Sequence, residues 1–537
     1  MVLVPDMKIK DLYFGNIDGK EEFEREKIEE YFYLDEDFVD IETVFKDRTV
    51  YIYGNKGTGK TSLLKYLEFI MTKKSKDTLF ILFKEVKSDV TLFAQFKKML
   101  EEINDTDLVS HAFWKWFFLS IVAKKYNLPD CQKHLIFSSN NLFTNIAVKF
   151  TELIKSISNF EIDIMSKIKL KVEREIYDKT KELSIITDAG KHIDNLQTLV
   201  KYHLNKDIYI FIDELETSTV STTQAVDAIL IKNLINSVKE LNQLSKHLNI
   251  KVAVRSEIIS NVFTTGDEVN KLLESSGLEI KWYHKNYNIS HPLIKMIIKK
   301  MRVSMIKYAE KEKLSNEVEK IRNATDEEIF KRWFPKQLLQ NLDSKRGNNI
   351  KILLNNTWSK PRDVVRLMNV LKEKAKSNSI FERHHYDEAI KEYSQKSWQE
   401  LKEELSASLQ PQEIVIVERA LSNFKTAFTY EELVDRLKIY NQDTGKEIDK
   451  LIEILYTTGV IGCLCKYNNR VSFKYFFRGD KYLDKNCKLE VHKGLWKAFS
   501  LQQQRRSRKR SRSNFFNTSS VVFNDSLKSG LKKINKS

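Results

Sequence analysis

Glycine, proline and cysteine are scarce in this chain of 537 residues, with 15, 6 and 4 copies respectively. So little glycine and proline leaves few tight turns and favours long helices, so we expect a helix-rich protein. The sequence contains no C-x-x-C pair and therefore predicts neither a disulfide framework nor a zinc site. A reduced protein of the cytoplasm fits this pattern best. The four cysteines are Cys131, Cys463, Cys465 and Cys487.

Long apolar runs are also missing. The most apolar stretch, residues 113–125, is interrupted by Lys115 and is shorter than the roughly 20 residues that a membrane span needs. The N-terminus lacks the charged and then apolar layout of a signal peptide. We therefore expect no membrane partner. The length exceeds what one hydrophobic core supports, so several domains are predicted.

Basic residues are abundant, and the formal net charge is +16. This charge is uneven along the chain. Residues 500–537 hold ten lysines or arginines against one acid, Asp525, which gives this segment +9 and leaves +7 for residues 1–499. We predict that residues 501–537 form a disordered basic tail. Such a tail either binds nucleic acid weakly and in a salt-sensitive way or is a solvated end without a partner.

Residues 54–61, GNKGTGKT, match the phosphate-binding pattern G-x-x-x-x-G-K-[ST]. A β-branched and aromatic run precedes them and a helical pattern follows, which is the order of strand, turn and helix that this chemistry requires. Glycines let successive backbone amides point at phosphates, and the helix N-terminus adds positive partial charge. Lys60 is predicted to reach the β- and γ-phosphates, and the Thr61 hydroxyl to bind Mg²⁺. The predicted phosphate-binding residues are Gly54, Asn55, Lys56, Gly57, Thr58, Gly59, Lys60 and Thr61.

A second strand that ends in acids is found at residues 207–218, DIYIFIDELETS. Its five consecutive apolar residues are typical of a central parallel strand that is buried on both faces. Asp213 is predicted to support the Mg²⁺, and Glu214 to polarise the attacking water, with Glu216 as the alternative base. Many apolar strands end in solvated acids, so the phosphate-binding loop is what makes this interpretation specific.

Two further strands are predicted, at residues 77–85 and 249–259, and the second of these contains Arg255. In ATPases with such a phosphate-binding loop, the strand that follows the acid-ending strand in sequence lies beside the phosphates. Arg255 is therefore predicted to sense the γ-phosphate, although it could equally cap the strand or pair with Glu257. Arg362 follows Pro361, which favours the first turn of a helix. It is predicted to reach the nucleotide from a helical lid, or else to lie at an ordinary surface helix start.

Several segments of the sequence together carry a resemblance to a known family. The segments are YFGNIDGKEEFE (13–24), GNKGTGKTSLL (54–64), FIDELE (211–216), VAVRSEI (252–258), KPRDVVRLMN (360–369) and VHKGLWKAF (491–499). On these segments the chain resembles the AAA+ and STAND group of P-loop ATPases and, more narrowly, the FunZ-like bacterial ATPases. The resemblance spans most of residues 9–500.

The resemblance implies an α/β P-loop NTPase fold, with a parallel sheet covered by helices on both faces and a helical insert. It also implies ATP rather than GTP as the nucleotide, together with Mg²⁺. The expected role is an ATP-dependent switch in phage defence or in the handling of mobile DNA. Such a switch could act as a homo-oligomer or with another protein partner.

We predict four parts along the chain. Residues 1–265 form the ATPase domain, with a helical insert at about 86–200, and residues 266–400 form the helical lid. Residues 401–500 form a winged helix, and the basic tail comes last. The winged helix is inferred from three helical patterns and a β-ribbon that turns at Asn468-Asn469. Capping boxes are predicted at Thr429 with Glu432 and at Thr444 with Glu447.

The predicted winged helix leaves two functions open. Its third helix carries more acids than bases, which favours a scaffold or a partner-docking role. The ribbon is basic, which favours DNA. The first hypothesis for the whole chain is therefore a slow ATPase that acts as a switch. The alternative is a DNA-binding initiator or repair-type ATPase in which ATP gates loading. The basic residues of the ribbon are Lys466, Arg470, Lys474 and Arg478.

Overall fold

The computed structural model describes most of the chain before the basic tail. The described residues are 3–25, 28–34, 44, 49–82, 106–134, 179–213, 224–256, 259, 275–335, 349–406, 408–440, 447–467 and 470–502. The basic tail from residue 503 onward and much of the predicted insert lie outside these ranges.

A five-stranded parallel sheet forms the centre of the N-terminal half, with the strand order β2-β3-β4-β1-β5. The four strands predicted from the sequence are all present. The fifth, β5, was not predicted, because its three residues are too short a run to show a pattern. The strands are β1 (Tyr51–Gly54), β2 (Asp77–Leu82), β3 (Ile208–Asp213), β4 (Leu248–Arg255) and β5 (Gly277–Glu279).

Both faces of this sheet are covered. Alternate residues of β3 enter different cores, since Ile210 and Ile212 pack into one and Phe211 into the other. This explains why the run 208–212 is apolar throughout rather than alternating. The helices of this half are α1 (Gly19–Arg25), α2 (Ile28–Tyr31), α3 (Lys60–Lys73), α4 (Thr106–Lys125), α5 (Lys179–His203) and α6 (Gln224–Leu244).

Helix α4 contains the aromatic stretch around residue 115. It packs against α5 and α6, and its tryptophans Trp114 and Trp116 are fully buried. The Trp114 indole donates to the carbonyl of Leu230 on α6 at 3.1 Å. The apolar run is thus a core helix. In the described ranges, no helix combines the length and the apolar character needed to cross a membrane.

After β5, the described residues contain six helices that form a bundle, which we call the lid. Residues 4–14 pack into its core, so the start of the chain contacts the lid as well as the sheet domain. The Asn369 side-chain amide donates to the carbonyl of Gly15 at 2.9 Å, and Lys300 pairs with Glu22 at 2.5 Å. The lid helices are α7 (Pro292–Lys311), α8 (Ser315–Asn323), α9 (Asp326–Trp333), α10 (Asn349–Asn355), α11 (Pro361–Ala375) and α12 (Arg383–Leu405).

The C-terminal module, residues 411–502, joins three helices to a four-stranded antiparallel sheet of order β6-β9-β7-β8. Its hydrophobic core is continuous with that of the lid. The helices are α13 (Pro411–Leu421), α14 (Tyr430–Tyr440) and α15 (Ile448–Thr457), and the strands are β6 (Ala427–Phe428), β7 (Ile461–Tyr467), β8 (Arg470–Lys474) and β9 (Lys488–Val491).

One of the two predicted capping boxes forms as expected. Glu432 N–H donates to Thr429 Oγ1 at 3.2 Å, and Thr429 N–H donates to Glu432 Oε2 at 3.1 Å. The other prediction is wrong about the helix start, because Glu447 is itself the N-cap of α15. The proposed partner, Thr444, lies outside the described residues, as does the turn at Asn468-Asn469.

The cysteine prediction is also wrong, because Cys465 and Cys487 form a disulfide. The antiparallel register that pairs Leu464 with Lys488 brings the next residues on each side, Cys465 and Cys487, opposite one another. Their Cα atoms are 4.8 Å apart, which is within the range that a disulfide requires. The two residues are 22 positions apart in sequence, so only the sheet pairing reveals their proximity.

Candidate nucleotide-binding site

The phosphate-binding loop, residues 54–61, joins β1 to the N-terminus of α3. Gly57 and Gly59 have φ angles of 84° and 88°, a conformation that side chains with a Cβ rarely adopt. Gly54 lies close to its neighbours, since a Cβ there would be 2.6 Å from the Thr58 hydroxyl oxygen. The three glycines therefore allow the turn that brings the backbone amides of the loop toward the start of α3.

Lys60, the first residue of α3, is buried within this turn. Its ammonium group donates to the carbonyl of Gly54 at 2.8 Å and to the carbonyl of Asn55 at 3.2 Å. A positive charge thus lies inside the concave side of the loop, where the amides and the helix N-terminus add partial positive charge. This is an anion-binding environment.

Thr61 and Asp213 meet at the floor of the site. The Thr61 hydroxyl donates a hydrogen bond to Asp213 Oδ2, although 152 residues separate them in sequence. Asp213 is buried at the carboxyl end of β3. Strand β4 lies between β1 and β3, so the two side chains approach each other across a neighbouring strand. A hydroxyl and a carboxylate are hard oxygen ligands, and this donor set fits Mg²⁺.

Arg255 ends β4, the strand between the loop and Asp213. The register of the sheet pairs it with Gly54, so its backbone lies beside the first residue of the loop. Its half-buried side chain lines the same cavity as Lys60 and Asp213. The sequence-predicted arginine is therefore at the phosphate end of the site.

Arg362 approaches the loop from the lid. It lies in the first turn of α11, after Pro361, and its backbone N–H donates to the carbonyl of Gly57 at 3.3 Å. The Arg362 side chain packs closely on Gly57, since a Cβ added to Gly57 would lie only 3.1 Å from the Arg362 Cβ. The guanidinium pairs with Glu400 of α12 at 2.9 Å. The lid thus touches the phosphate-binding loop directly.

A cavity of about 650 Å³ connects all of these groups. Its polar lining includes the phosphate-binding loop, Asp213, Arg255 and Arg362, together with charged residues of the N-terminal segment and the lid. Its apolar or aromatic lining residues are Ile17, Phe32, Tyr33, Leu34, Trp282, Pro292 and Met296. A lining that combines charged and apolar groups suits a ligand with phosphates and a ring system.

Comparison with known proteins agrees with this geometry. A model of the ORC-CDC6-like family matches residues 20–230, which include the phosphate-binding loop and Asp213. No curated protein matches the chain. The site and the family match together identify the chemistry. This part of the chain is a nucleotide-binding P-loop ATPase.

Two solved structures are similar to the chain at low identity. The Aeropyrum pernix ORC2 protein, in its ADPNP-ADP complexes, shares 12% sequence identity over 84% of this chain and 85% of that chain, with a TM-score of 0.37. A Walker-type ATPase of Pyrococcus abyssi shares 11% identity over 88% of this chain and 98% of that chain, with a TM-score of 0.34. Similarities of this degree carry no argument about function.

Of the predicted site residues, all except the predicted general base belong to the described part of the chain. Glu214 follows Asp213 directly but, like the alternative Glu216, lies outside the described residues. Loop residues 56–61, Asp213, Arg255 and Arg362 line one cavity, whereas the predicted residues Gly54 and Asn55 are not among its lining residues. The polar sequence-predicted groups that line it are Lys56, Thr58, Lys60, Thr61, Asp213, Arg255 and Arg362.

The sequence did not reveal three other contributors to the site. Trp282, just after β5, donates its indole N–H to the Thr58 carbonyl at 2.8 Å and so holds the loop from the side. Glu400 binds the lid arginine, and Asn16 begins the N-terminal stretch that lines the cavity. Of these three, only Asn16 had a signal in the sequence, because it lies in the segment 13–24 that contributes to the family resemblance.

Proposed function

We propose that the protein binds ATP with Mg²⁺, hydrolyses it, and uses the bound nucleotide to set the position of the lid relative to the sheet. The observation that carries this proposal is the direct contact between Arg362 of the lid and Gly57 of the phosphate-binding loop. Any ligand that fills the loop must therefore meet groups from both parts of the protein. Differential contacts of this kind are what a nucleotide-driven switch requires.

We assign a role to each of the polar groups predicted from the sequence. The amides of residues 54–59 and the Lys60 ammonium bind the phosphates, and Thr61 with Asp213 holds the Mg²⁺, which neutralises phosphate charge when bound. Glu214 orients and deprotonates the attacking water. Arg255 and Arg362 approach the γ-phosphate from the sheet and from the lid. The apolar residues around Ile17 and Met296 receive the adenine ring.

The C-terminal module is the proposed recipient of the movement. We propose that its three helices and the β7–β8 ribbon form a winged helix, and it shares a continuous core with the lid. Trp358, four residues before Arg362, packs into it by donating to the Gly459 carbonyl at 2.8 Å. A displacement of Arg362 is therefore transmitted to the module through a short, buried connection.

A second candidate function, a DNA-binding initiator-type ATPase, is favoured by one exposed basic residue of the ribbon, Lys466. Edge strand β8 exposes Val471 and Phe473, and Lys466 is exposed on the neighbouring strand β7. Two other basic residues of the ribbon are already engaged. Lys474 lies 3.8 Å from Asp484, and the Arg478 guanidinium packs over the rings of Tyr475 and Phe477. The side chain of Arg470 lies outside the described set.

Addition of duplex DNA distinguishes these two candidates. An initiator-type ATPase should be stimulated by DNA at low salt, and the stimulation should fade as salt rises, because phosphate contacts release counterions. The Lys466→Glu variant should then lose most of the stimulation while its rate without DNA stays the same. A switch that acts on protein partners should instead show the same turnover with and without DNA at every salt concentration. A role in phage defence, implied by the FunZ-like resemblance, rests on no contact among the described residues.

The proposal that Asp213 supports Mg²⁺ is tested by Asp213→Asn. The neutral amide retains the shape but loses the charge that attracts the ion, and a catalytic divalent ion contributes several kcal/mol to phosphoryl transfer. We expect turnover at a fixed Mg²⁺ concentration to fall on the order of 100-fold, with partial recovery at higher Mg²⁺. Phosphate release assays across a Mg²⁺ titration measure both effects.

The matched control for this variant is Asp435→Asn, the same change at an exposed position of α14. It should retain the wild-type rate and the wild-type Mg²⁺ dependence. Equal rates for Asp213→Asn and the wild-type protein at all Mg²⁺ concentrations would contradict the assigned role.

A further inference from the structure

Glu400 is the acid on which the cations of the lid and of the phosphate-binding loop converge. Its carboxylate is 2.9 Å from Arg362, accepts a hydrogen bond from Arg366, and is 4.0 Å from the ammonium of Lys56 in the loop. Its side chain is only 15% exposed. Burial alone would raise the pKa of Glu400, but the charges of Arg366 and Arg362 outweigh this effect and lower the pKa to about 2. The group is therefore a permanent anion at neutral pH.

This contact fixes one edge of the Arg362 guanidinium. The η1 nitrogen of Arg362 donates to Glu400 Oε1, so that nitrogen is engaged with the lid. The Nε atom is buried and has no hydrogen-bond partner among the described residues. It lies on the side of the arginine that packs against the loop, since a Cβ on Gly57 would be 3.7 Å from it. Packing against the loop encloses this atom, so the donors that Arg362 can offer to a ligand in the cavity are those of the guanidinium that are not engaged with Glu400.

We propose that Glu400 is a positioning residue, which holds Arg362 in the orientation that presents its remaining donors to the terminal phosphate of a bound triphosphate. Because only a triphosphate offers that acceptor, Glu400 contributes to the preference of the site for ATP over ADP. The inference rests on the proposed function, since it concerns the same cavity. It adds a residue that contacts the nucleotide only through another side chain.

An arginine has several flexible torsions, so an isolated lid arginine would lose part of its binding free energy to ordering. The Glu400 carboxylate removes that cost by holding the guanidinium before the nucleotide arrives. It also pairs with the buried Arg366, whose other acidic partner is Asp363 at 3.5 Å. Removing the charge of Glu400 adds a net positive charge, which should strengthen the binding of any phosphate compound. The ratio of the ATP and ADP affinities is therefore the informative quantity, and a single affinity is not.

A double-mutant cycle tests the proposal. Dissociation constants for ADP and for a non-hydrolysable ATP analogue, both with Mg²⁺, are measured by titration calorimetry on the full chain. We expect Arg362→Ala to lower the preference for the triphosphate on the order of tenfold or more, as removal of a charge-assisted hydrogen bond does. Glu400→Gln should lower it at least about fivefold, and the double variant should match Arg362→Ala alone.

Two further variants sharpen the result. Glu388→Gln makes the same charge change at an exposed position of α12 and should leave the ratio unchanged. Glu400→Asp retains the charge on a shorter side chain, so its ratio of ATP to ADP affinity should be intermediate. If Glu400→Gln does not fold, Glu400→Asp becomes the decisive variant.

The outcomes separate the two levels of the proposal. If the wild-type protein binds neither nucleotide, the proposed function itself fails. If it binds both and Glu400→Gln leaves the ratio unchanged or raises it, the positioning role is overturned, and a rise would mean that Glu400 competes with the phosphate for Arg362. Additive effects in the double variant would also overturn it, because the two residues would then act independently.

Discussion

Replacing Lys60 by alanine is expected to reduce ATP binding and turnover on the order of 100- to 1,000-fold. The ammonium group lies inside the turn of the phosphate-binding loop, where it is buried and bonded to the carbonyls of Gly54 and Asn55. A preorganised charge in a site shielded from water stabilises developing phosphate charge by about 3–4 kcal/mol. Alanine removes this charge from the inside of the loop. Calorimetric titration with ATP and a phosphate release assay measure the two effects.

The control for this variant is Lys73→Ala, which removes an exposed lysine from the last turn of the same helix, α3. It should bind and hydrolyse ATP as the wild-type protein does. Thermal unfolding without nucleotide should be compared for both variants, because Lys60 also bonds to the loop carbonyls. ATP turnover by Lys60→Ala within a fewfold of the wild-type rate would rule out this loop as the catalytic site.

The groups that could be predicted from the sequence are those that depend on local patterns. The glycines of the loop GNKGTGKT indicate its backbone conformation, and two of them have positive φ angles. The apolar run before Asp213 reveals a strand buried on both faces, and parallel strands deliver their carboxyl ends to one edge of the sheet. Asp213 and Thr61 could therefore be paired without a structure, although 152 residues separate them.

The groups that could not be predicted depend on packing between distant segments. Trp282 and Glu400 act through a single hydrogen bond or ion pair to the loop or the lid, and neither belongs to a sequence motif. The disulfide between Cys465 and Cys487 depends on the register of β7 against β9. In each case the sequence supplies the residue, and only the tertiary fold supplies its partner.

Trp358 is one of several buried residues that connect the lid to the C-terminal module. Its ring stacks on the His492 imidazole with centroids 4.0 Å apart, and its indole N–H donates to Gly459. Gly494 accommodates the ring, since a Cβ there would be 2.8 Å from it. Complete burial lowers the pKa of His492 well below its usual value, so the imidazole is neutral at physiological pH. The contact between Trp358 and His492 therefore carries no charge that changes near pH 7.

Truncating the Trp358 side chain by Trp358→Ala is expected to destabilise the protein by about 3–5 kcal/mol, which is the usual cost of removing a large buried aromatic side chain. Because the lost ring lies between two parts of one core, we also expect the C-terminal module to unfold at a lower denaturant concentration than the sheet domain. Urea unfolding followed by circular dichroism, with limited proteolysis at each concentration, measures both effects.

Two other variants serve as comparisons. The free energy of unfolding of the exposed control, Tyr482→Ala, should stay within about 0.5 kcal/mol of wild type. Trp358→Phe retains most of the packing, and its free energy of unfolding should be only about 1 kcal/mol lower than that of the control. A Trp358→Ala protein that unfolds with the midpoint of Tyr482→Ala would show that the module is held elsewhere. Movement of Arg362 would then need another route to the C-terminal module.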